Sequence, residues 1–510
     1  MSTMTSPSPM ARARPNREAL RSLWPLLVIA GLYSLLAVLY AVYTPLWQAP
    51  DEPAHFNNIR LLATTGRLPV LQPGDYDEAY LNELKARRFP PEWPVEGLRY
   101  EAHQPPLYYL LAVPVWWLGE GLDLRGRVLL LRLQSALWGA GVVWLIGMAV
   151  RRLFPLHPDL ALLAAGFAAL LPMHLAMMAA INNDGLSELL IAAVVVRLLE
   201  HLRHPEGGSR AWLGTGLLTG LALLTKFQAY ILVPLVGTVW LWQAVKGGKA
   251  ANKAVAWLAP TLVVPLPWWL RNGLVYGLND PLGLQRHDAI VIGQPRTADW
   301  IARFGPVAYL ERLGEFTFKS FWGVFGWLGV FLDGRVYALL GLLSLLVVAG
   351  WVGQGIRWRR EGGLTAWQRR GLILLGWQCV LVGASYAWYN LSFVQHQGRY
   401  LFPALLPLSL GFALGWQGLR TAAGSAAGAM LMALVAVGLV LQGWQSGDVD
   451  GRGLMVTVVI ALLLFAQSRQ PKTPALVWNG GLLVLLVLLA LYALFGAIVP
   501  QLTAVLSAAV

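Results

Sequence analysis

Long apolar runs recur from one end of this chain to the other, and they limit the folds that it can adopt. Each run holds about 20 residues, the length of a helix that crosses the hydrocarbon core of a bilayer. Such helices satisfy their own backbone hydrogen bonds in lipid. Because 57% of the 510 residues are hydrophobic and only 13% are charged, the runs predict an all-α polytopic membrane protein.

The formal net charge of +13 raises the question of nucleic-acid binding, but the distribution of basic residues argues against it. Arginine and lysine cluster beside the apolar runs, as the positive-inside rule predicts. Residues 1–22 form one such cluster and are predicted to be cytoplasmic. Since no small-residue cleavage site follows the first apolar run, 23–43 is interpreted as a retained span. The single cysteine, Cys379, lies within an apolar run, which excludes an internal disulfide and a cysteine-based metal site.

The later basic clusters define a topology of about thirteen crossings. Placing every cluster in the cytoplasm requires a break at Lys226, which divides residues 211–245 into two spans. The catalytic transmembrane region is then predicted over 23–415, and further transmembrane helices over 416–510. The predicted spans after the first are 128–150, 159–181, 185–203, 211–225, 227–245, 254–270, 335–356, 371–390, 400–416, 426–442, 453–467 and 475–497.

Two predicted outer segments are too long to be simple turns, and we call them the first outer segment (44–127) and the second outer segment (271–334). Both are rich in Pro and Trp, which indicates caps that lie on the membrane surface. The apolar stretch near 107–118 contains a proline and is short for a span, so it is predicted to lie at the interface, where Trp is common.

Polar residues accumulate where this topology places the outer ends of spans. Carboxylates and cations from distant parts of the chain would meet there, as in a reaction site for a substrate with an anionic group. A scattered, solvated rim is the alternative. The residues concerned are Asp51, Glu52, His55, Asn182, Asn183, Asp184, Lys226, Arg271, Asn272, His396 and Arg399.

Several short motifs follow one another in an order that resembles the C superfamily (GT-C) of membrane glycosyltransferases. That group includes protein O-mannosyltransferases and lipid A aminoarabinose transferases, and the chain looks most like uncharacterised bacterial members. The resemblance implies a fold of eleven to thirteen spans with a catalytic acid in the first outer loop. It covers residues 20 to about 415 and rests on "PDEPAHF", "HQPPLYY", "RLQSALWG", "INNDGLSE", "LLTKFQAYILVP", "WWLRNGLVYGLNDPLG" and "HQGRYLFPALLP".

The resemblance also assigns roles to residues. The acidic pair of the superfamily matches Asp51 and Glu52, and its second acid matches Asp184. The Thr-Lys motif falls on Thr225 and Lys226, and an Arg-Tyr-Leu-x-Pro segment begins at Arg399 and Tyr400. One departure concerns Gln104, beside His103, because the aminoarabinose transferases have lysine at that position. A lipid A acceptor is therefore not implied.

On this basis the expected reaction is sugar transfer from a polyprenyl phosphate to a hydroxyl group of a glycan, lipid or protein. Asp51 is predicted to be the base, with Glu52 or Asp184 positioning the acceptor. The donor phosphate is expected to bind cations. A single displacement would invert the anomeric carbon. The predicted phosphate-binding residues are Lys226, Arg399, His396 and Tyr400.

Cofactors and location follow from the same reasoning. No P-loop or dinucleotide motif is present, and no nucleic-acid partner is expected. A divalent cation is an open possibility, with Asp51, Glu52 and Asp184 as its ligands. The topology places the reaction on the extracytoplasmic face of the inner (plasma) membrane. The donor is expected to be lipid-linked because nucleotide sugars are not expected on that face.

Each site residue also has a structural interpretation. Asp51 and Glu52 suit the first turn of a helix. His55 is interpreted as a metal ligand or as a hydrogen-bonding partner of another site residue, and Lys226 as a phosphate ligand or a snorkelling side chain. His103 and Gln104 are assigned to acceptor binding or to loop structure. Two tryptophans of the second outer segment, Trp322 and Trp327, are weaker candidates for stacking on a glycan.

Two other functional classes remain open at this point. A transporter or flippase places its polar residues near the bilayer midplane, often in repeated halves. Here the charges lie at predicted span ends, and the two halves of the chain do not match. A non-catalytic binder of lipid-linked glycans would not need the Asp-Glu pair.

Overall fold

The computed structural model describes residues 23–245, 250–471 and 473–503. The predicted cytoplasmic segment 1–22 lies outside these ranges, as do 246–249 within one predicted basic cluster. The described chain is helical almost throughout, and the strands in it form one short antiparallel hairpin, β1 (Val324–Phe325) and β2 (Val330–Phe331). The predicted all-α class is therefore confirmed.

Twelve helices begin before the second outer segment. They are α1 Trp24–Tyr43, α2 Glu52–Thr65, α3 Glu78–Ala86, α4 Leu107–Leu118, α5 Leu124–Leu153, α6 Pro158–Leu170, α7 Pro172–Met178, α8 Asp184–Arg203, α9 Ser209–Leu223, α10 Leu232–Val245, α11 Ala250–Val263 and α12 Leu266–Tyr276. Two 3₁₀ turns, Tyr100–His103 and Phe227–Ile231, precede α4 and α10.

The remaining helices begin in the second outer segment and continue to the end of the described chain. They are α13 Leu284–Ile290, α14 Thr297–Phe304, α15 Pro306–Gly323, α16 Gly334–Arg360, α17 Ala366–Ser392, α18 Leu405–Gly418, α19 Ala422–Ser446, α20 Gly451–Arg469, α21 Ala475–Tyr492 and α22 Val499–Thr503. A 3₁₀ turn, Gly398–Ala404, leads into α18, and a π-helical turn, Ala493–Ile498, joins α21 to α22.

Nine helical segments of the described chain are long and apolar enough to cross a membrane. A tenth is obtained if α6 and α7, bent by 63° at Leu171, count as one span. The predicted number of thirteen is therefore not confirmed. The nine are Trp24–Tyr43, Leu124–Leu153, Phe227–Val245, Gly334–Arg360, Ala366–Ser392, Gly398–Gly418, Ala422–Ser446, Gly451–Arg469 and Ala475–Thr503.

If α6 and α7 count as one span, three predicted spans account for the remaining difference. Helix α8 coincides with span 185–203, but it contains several charged residues from Asp184 to Arg203. Helix α9 coincides with 211–225 and has only 15 residues. Span 254–270 is broken before Pro265, which lacks an amide hydrogen and disfavours a helical residue before it. The predicted break at Lys226 is confirmed, because this residue has an extended conformation between α9 and the next 3₁₀ turn.

Helices α1, α5, α6, α8 and α18 pack together and form the centre of the bundle. Further along the chain, α16 and α18 approach closely through glycine. A Cβ atom added to Gly350 would lie 1.9 Å from the carbonyl oxygen of Gly415. Such contacts let helix backbones pack tightly in a membrane protein, where small residues take the place of hydrophobic driving force.

The two outer segments are folded against one another and against the helix ends. The indole Nε1 of Trp327, in the β1–β2 turn, donates to the carbonyl oxygen of Trp47 at 2.8 Å. The backbone amide of Val394 donates to the carbonyl oxygen of Pro295 at 2.9 Å, beside a β-bridge between Arg296 and Phe393. These contacts bring both segments to one end of the bundle, where they enclose the cavity described next.

Candidate active site

A cavity of about 1030 Å³ lies where the two outer segments meet the ends of α8, α9 and α17. Its wall contains residues that are distant in sequence, which agrees with the convergence expected from their positions at predicted span ends. Glu52, Arg271 and Asn272 do not line it. The predicted site residues that do are Asp51, His55, His103, Gln104, Asp184, Lys226, His396, Arg399 and Tyr400.

Asp51 precedes α2 at the position of an N-cap but does not act as one. Its backbone is left-handed, with φ of +67°, and its side chain makes no capping hydrogen bond. The carboxylate instead accepts from the Tyr100 hydroxyl at 3.1 Å through Oδ1 and meets Arg399 Nη2 at 3.4 Å through Oδ2. A strained conformation of this kind is found where the surroundings hold a side chain in place. The helix-cap interpretation of Asp51 is thus wrong.

Glu52 begins α2 and points away from the cavity. Both of its carboxylate oxygens pair with Arg132, at 2.7 Å to Nε and 2.7 Å to Nη2. They also accept from the backbone amides of Trp47 and Ile181. Glu52 is fully buried and Arg132 nearly so. The geometry therefore does not support the predicted catalytic role of Glu52, whose acceptor sites are already occupied.

The "NND" motif organises the start of α8. Asn182 accepts from the backbone amide of Asp184 at 2.9 Å. The side-chain amide of Asn183 donates to Gln104 Oε1 at 3.1 Å and to the Thr225 carbonyl oxygen at 3.2 Å. Asp184 itself forms an ion pair with Lys226, with 2.5 Å between Oδ1 and Nζ. Asn182 thus holds the backbone of Asp184, and Asn183 holds Thr225, the residue before Lys226. Together they keep Asp184 opposite Lys226.

The first outer segment contributes His55, His103 and Gln104, the candidate acceptor-binding residues, to the cavity wall. His55 Nδ1 is 2.8 Å from the Tyr109 hydroxyl, and burial lowers the pKa of this imidazole. Burial also lowers the pKa of His103, to about 4. The His103 ring lies between those of Phe227 and His287, with centroids 5.9 and 4.4 Å away. Burial thus disfavours the charged form of both imidazoles.

The segment Gln395–Tyr400 supplies the other side of the cavity. Arg399 donates to Gln397 Oε1 at 2.8 Å in addition to its contact with Asp51, and its guanidinium lies 5.4 Å from the ring centroid of Tyr400. The ring of His396 packs edge-on against Tyr309 at 4.8 Å. Neither nitrogen of this ring has a hydrogen-bond partner among the residues that the structure describes.

The chain is similar in sequence to one protein family and in fold to several solved structures. The dolichyl-phosphate-mannose-protein mannosyltransferase family matches residues 112–270, a range that contains Asp184 and Lys226. ArnT from Cupriavidus metallidurans bound to undecaprenyl phosphate superposes with a TM-score of 0.50 at 16% identity, over 94% of this chain and 77% of ArnT. Its apo form gives 0.51 at 17% identity, over 95% and 77%. The chain has the GT-C fold.

One further solved structure and the curated proteins were also compared with the chain. The apo oligosaccharyltransferase of Archaeoglobus fulgidus has a TM-score of 0.49 at 11% identity, over 93% of this chain and 56% of that protein. A sequence search among curated proteins finds no match. The two ArnT structures confirm the GT-C fold expected from the motifs, at 16% and 17% identity.

Three residues that shape the site were not predicted from the sequence. Arg132 holds Glu52 and also donates to the carbonyl oxygens of Ala41 and Thr44. Its charge inside an apolar run was the available signal, because such residues need a partner. Tyr100 binds Asp51, and Glu101 adds another carboxylate to the cavity wall. Both lie in an irregular stretch whose orientation the sequence does not indicate.

The candidate metal and glycan ligands are placed differently from their predicted arrangement. Glu52 faces Arg132, so Asp51, Glu52 and Asp184 do not form one ligand set. In the described ranges no three His, Cys, Asp or Glu side chains are grouped suitably for a metal ion. Of the two tryptophans, Trp327 lines the cavity with Lys85 4.7 Å from its ring centroid, whereas Trp322 is buried against Phe167.

Proposed function

We propose that the protein is a membrane glycosyltransferase that transfers a sugar from a polyprenyl phosphate to a hydroxyl acceptor. The observation that supports this proposal most directly is the meeting of two acid–cation pairs, Asp51 with Arg399 and Asp184 with Lys226, in one large cavity. A transfer of this kind needs a base for the acceptor hydroxyl and cations for the departing phosphate. The family match and the GT-C fold agree with it.

Asp51 is proposed as the base. Its contact with Arg399 is a single one at 3.4 Å, longer than a good charge-assisted hydrogen bond. A donor phosphate that binds Arg399 would displace this carboxylate and free it to accept the proton of the acceptor hydroxyl. The acceptor oxygen then bonds to the anomeric carbon while the carbon–oxygen bond to phosphate breaks. This single displacement inverts the anomeric centre.

Arg399 and Lys226 are proposed to bind the phosphate. Arg399 offers a planar fork of donors that suits phosphate oxygens, and Lys226 supplies a compact charge. Both lie largely within the protein, with 10% and 16% of the side chain exposed, so their charges act in a medium that screens them less than water does. Asp184 positions Lys226, and together with Asp51 it remains available to a divalent cation.

The donor is proposed to be lipid-linked and the reaction to take place on the extracytoplasmic face of the inner membrane. The ArnT structure with undecaprenyl phosphate supports a polyprenyl carrier through the shared fold. The acceptor is a hydroxyl group of a glycan, lipid or protein. A transporter or a non-catalytic binder is the competing function, and neither requires Asp51 to exchange a proton.

The test uses purified protein in nanodiscs with a panel of labelled polyprenyl-phosphate sugars and candidate acceptors. The measured quantity is release of free polyprenyl phosphate, with and without a divalent cation and with a chelator. Asp51→Asn is compared with Asp299→Asn, which changes an exposed carboxylate on α14 outside the cavity. We expect release by the wild type and by Asp299→Asn, and loss of release in Asp51→Asn.

The other outcomes separate the alternatives. Equal release by Asp51→Asn and the wild type would show that Asp51 is not the base. Equal lipid binding by both forms, with no release of any panel member, would favour a binder or flippase. Loss of release on chelation, restored by added cation, would assign a cation to the reaction.

A further inference from the structure

Three glutamine side chains continue the hydrogen bonding of Arg399 along the cavity wall, and we call them the glutamine ladder (Gln397, Gln395 and Gln294). Arg399 Nε donates to Gln397 Oε1 at 2.8 Å, and Gln397 Nε2 donates to Gln395 Oε1 at 2.6 Å. Gln395 Nε2 makes a longer contact of 3.5 Å with Gln294 Oε1. All four side chains line the cavity.

The direction of the ladder follows from Arg399. Guanidinium only donates hydrogen bonds, so Gln397 must present its carbonyl oxygen to it and its amino group to the next residue. The same reasoning orients Gln395. Each rung uses one of the two N–H groups and one of the two lone pairs of its amide, which leaves one donor and one acceptor on Gln395 and on Gln397 for another group.

The backbone between α17 and the following 3₁₀ turn brings two of the glutamines together. Phe393 is joined to Arg296 by the β-bridge, and the Val394 amide donates to the carbonyl oxygen of Pro295. The amides of Gln395 and Gln397 each donate to the carbonyl oxygen two residues earlier, so the chain makes two successive tight turns. Gln395 and Gln397 meet through their side chains, and His396 between them packs against Tyr309.

We propose that the glutamine ladder binds hydroxyl groups of the sugar that is transferred, and that this sugar is neutral. The inference rests on the proposed function, in which Arg399 holds the donor phosphate, because the sugar is bonded to that phosphate and must lie beside it. A sugar hydroxyl both donates and accepts, as a glutamine amide does. The fit is to a hexose-type ring with several hydroxyls.

Charge complementarity disfavours the two main alternatives at this wall. An amino group on the sugar would find no carboxylate within the ladder, where it would meet only uncharged amides. A carboxylate on the sugar would compete with the phosphate for Arg399. An unpaired charge beside neutral groups in a partly buried cavity is costly, whereas a hydroxyl is satisfied there.

The experiment measures binding in nanodiscs, so that it does not depend on turnover. The probes are undecaprenyl phosphate without sugar and the same carrier with a neutral hexose, an amino sugar or a uronic acid. The variants are Gln395→Leu and Gln294→Leu, each compared with Gln72→Leu, which changes an exposed residue outside the cavity. Release of polyprenyl phosphate is followed in parallel.

We expect the wild type to bind the hexose-linked carrier more tightly than the bare carrier. Gln395→Leu should weaken binding of the hexose-linked carrier about five- to tenfold, as for one or two lost hydrogen bonds. Gln294→Leu should have a smaller effect in the same direction. Both variants should retain the wild-type affinity for undecaprenyl phosphate, which also shows that they are folded.

Two results would overturn the inference while leaving the transferase intact. One is release from a hexose donor at wild-type rate and affinity by both leucine variants. The other is a preference of the wild type for the amino sugar or the uronic acid. By contrast, hexose-dependent binding that the variants lose, with no release by the wild type from any donor, would support the ladder and contradict the proposed transfer.

Discussion

Asp51 and Glu52 are neighbours in sequence and each pairs with an arginine, yet the two pairs are built differently. Glu52 and Arg132 are sealed between helices, with 0% and 3% of the side chain exposed and two contacts of 2.7 Å. Asp51 and Arg399 face the cavity, with 29% and 10% exposed and one contact of 3.4 Å. The first pair has no capacity left for a ligand, and the second has.

The two adjacent acids therefore have different roles: Glu52 forms a buried structural ion pair, and Asp51 reaches the cavity. Asp51 precedes α2 with a left-handed backbone, whereas Glu52 is the first residue of the helix, and their side chains reach different partners. Arg132 binds Glu52 and the chain end of α1 through the carbonyl oxygens of Ala41 and Thr44. The sealed pair thereby fixes the backbone from which Asp51 reaches the cavity.

The largest effect that separates the pairs is expected in catalysis. Asp51→Asn removes the proposed base and should lower the rate of polyprenyl phosphate release by about 10²–10⁴-fold. Its melting temperature in detergent should stay close to that of the wild type, because the replaced carboxylate has only one weak ion-pair contact. A large fall in melting temperature would mean that the open pair is structural after all.

The sealed pair should respond in the opposite way. Arg132→Met leaves the Glu52 carboxylate buried without a charged partner and should cost about 3–5 kcal/mol of stability. The double variant Glu52→Gln/Arg132→Met removes both charges and should recover much of this loss. Thermal unfolding of the wild type, Glu52→Gln, Arg132→Met and the double variant measures the coupling. A single variant as stable as the wild type would contradict the sealed arrangement.

Much of the fold could be predicted from the sequence because hydrophobic runs and basic clusters report on membrane spans directly. The predicted number of membrane spans was too high where a helix is not a simple apolar run. Helix α8 carries charge from Asp184 onwards, and Pro265 interrupts the helix before α12. These features depend on the packing of neighbouring helices, which hydropathy does not report.

The candidate site was partly predictable for a similar reason. Span ends placed Asp51, Asp184, Lys226 and Arg399 on one side, and the structure brings them into one cavity. The direction of the Glu52 side chain was not predictable, since it depends on where α2 begins and on the position of Arg132. The turn that presents Glu101 has no periodic pattern, so nothing in the sequence pointed it toward Asp51.

A more moderate effect should distinguish the two kinds of cation at the open pair. Arg399→Lys keeps the charge but removes the fork that contacts Asp51 and Gln397 and that we propose to bind the donor phosphate. We expect the KM for the donor to rise about ten- to hundredfold, as for the loss of one charge-assisted hydrogen bond. Lys226→Arg is the matched comparison and should be milder. Equal effects of the two changes would show that only charge matters at this site.

The smallest effect concerns Glu101, whose carboxyl group lines the same cavity as Asp51. Burial is the main cause that raises the pKa of Glu101, and the Asp51 charge adds to it, whereas His55 and Lys226 oppose it. A raised pKa in the folded state means that folding favours the protonated form. Its contribution to stability is complete below the ordinary value of 4.5 and is lost as the pH rises through the folded pKa.

Glu101→Gln mimics the protonated carboxyl group at every pH. It should therefore raise the melting temperature at neutral pH, and the gain should shrink as the pH falls toward 4.5. Glu120→Gln, at an exposed position between α4 and α5, serves as the control and should show no such trend. A gain that stays constant between pH 5 and pH 8 would show that the increase in melting temperature does not arise from the ionisation of Glu101.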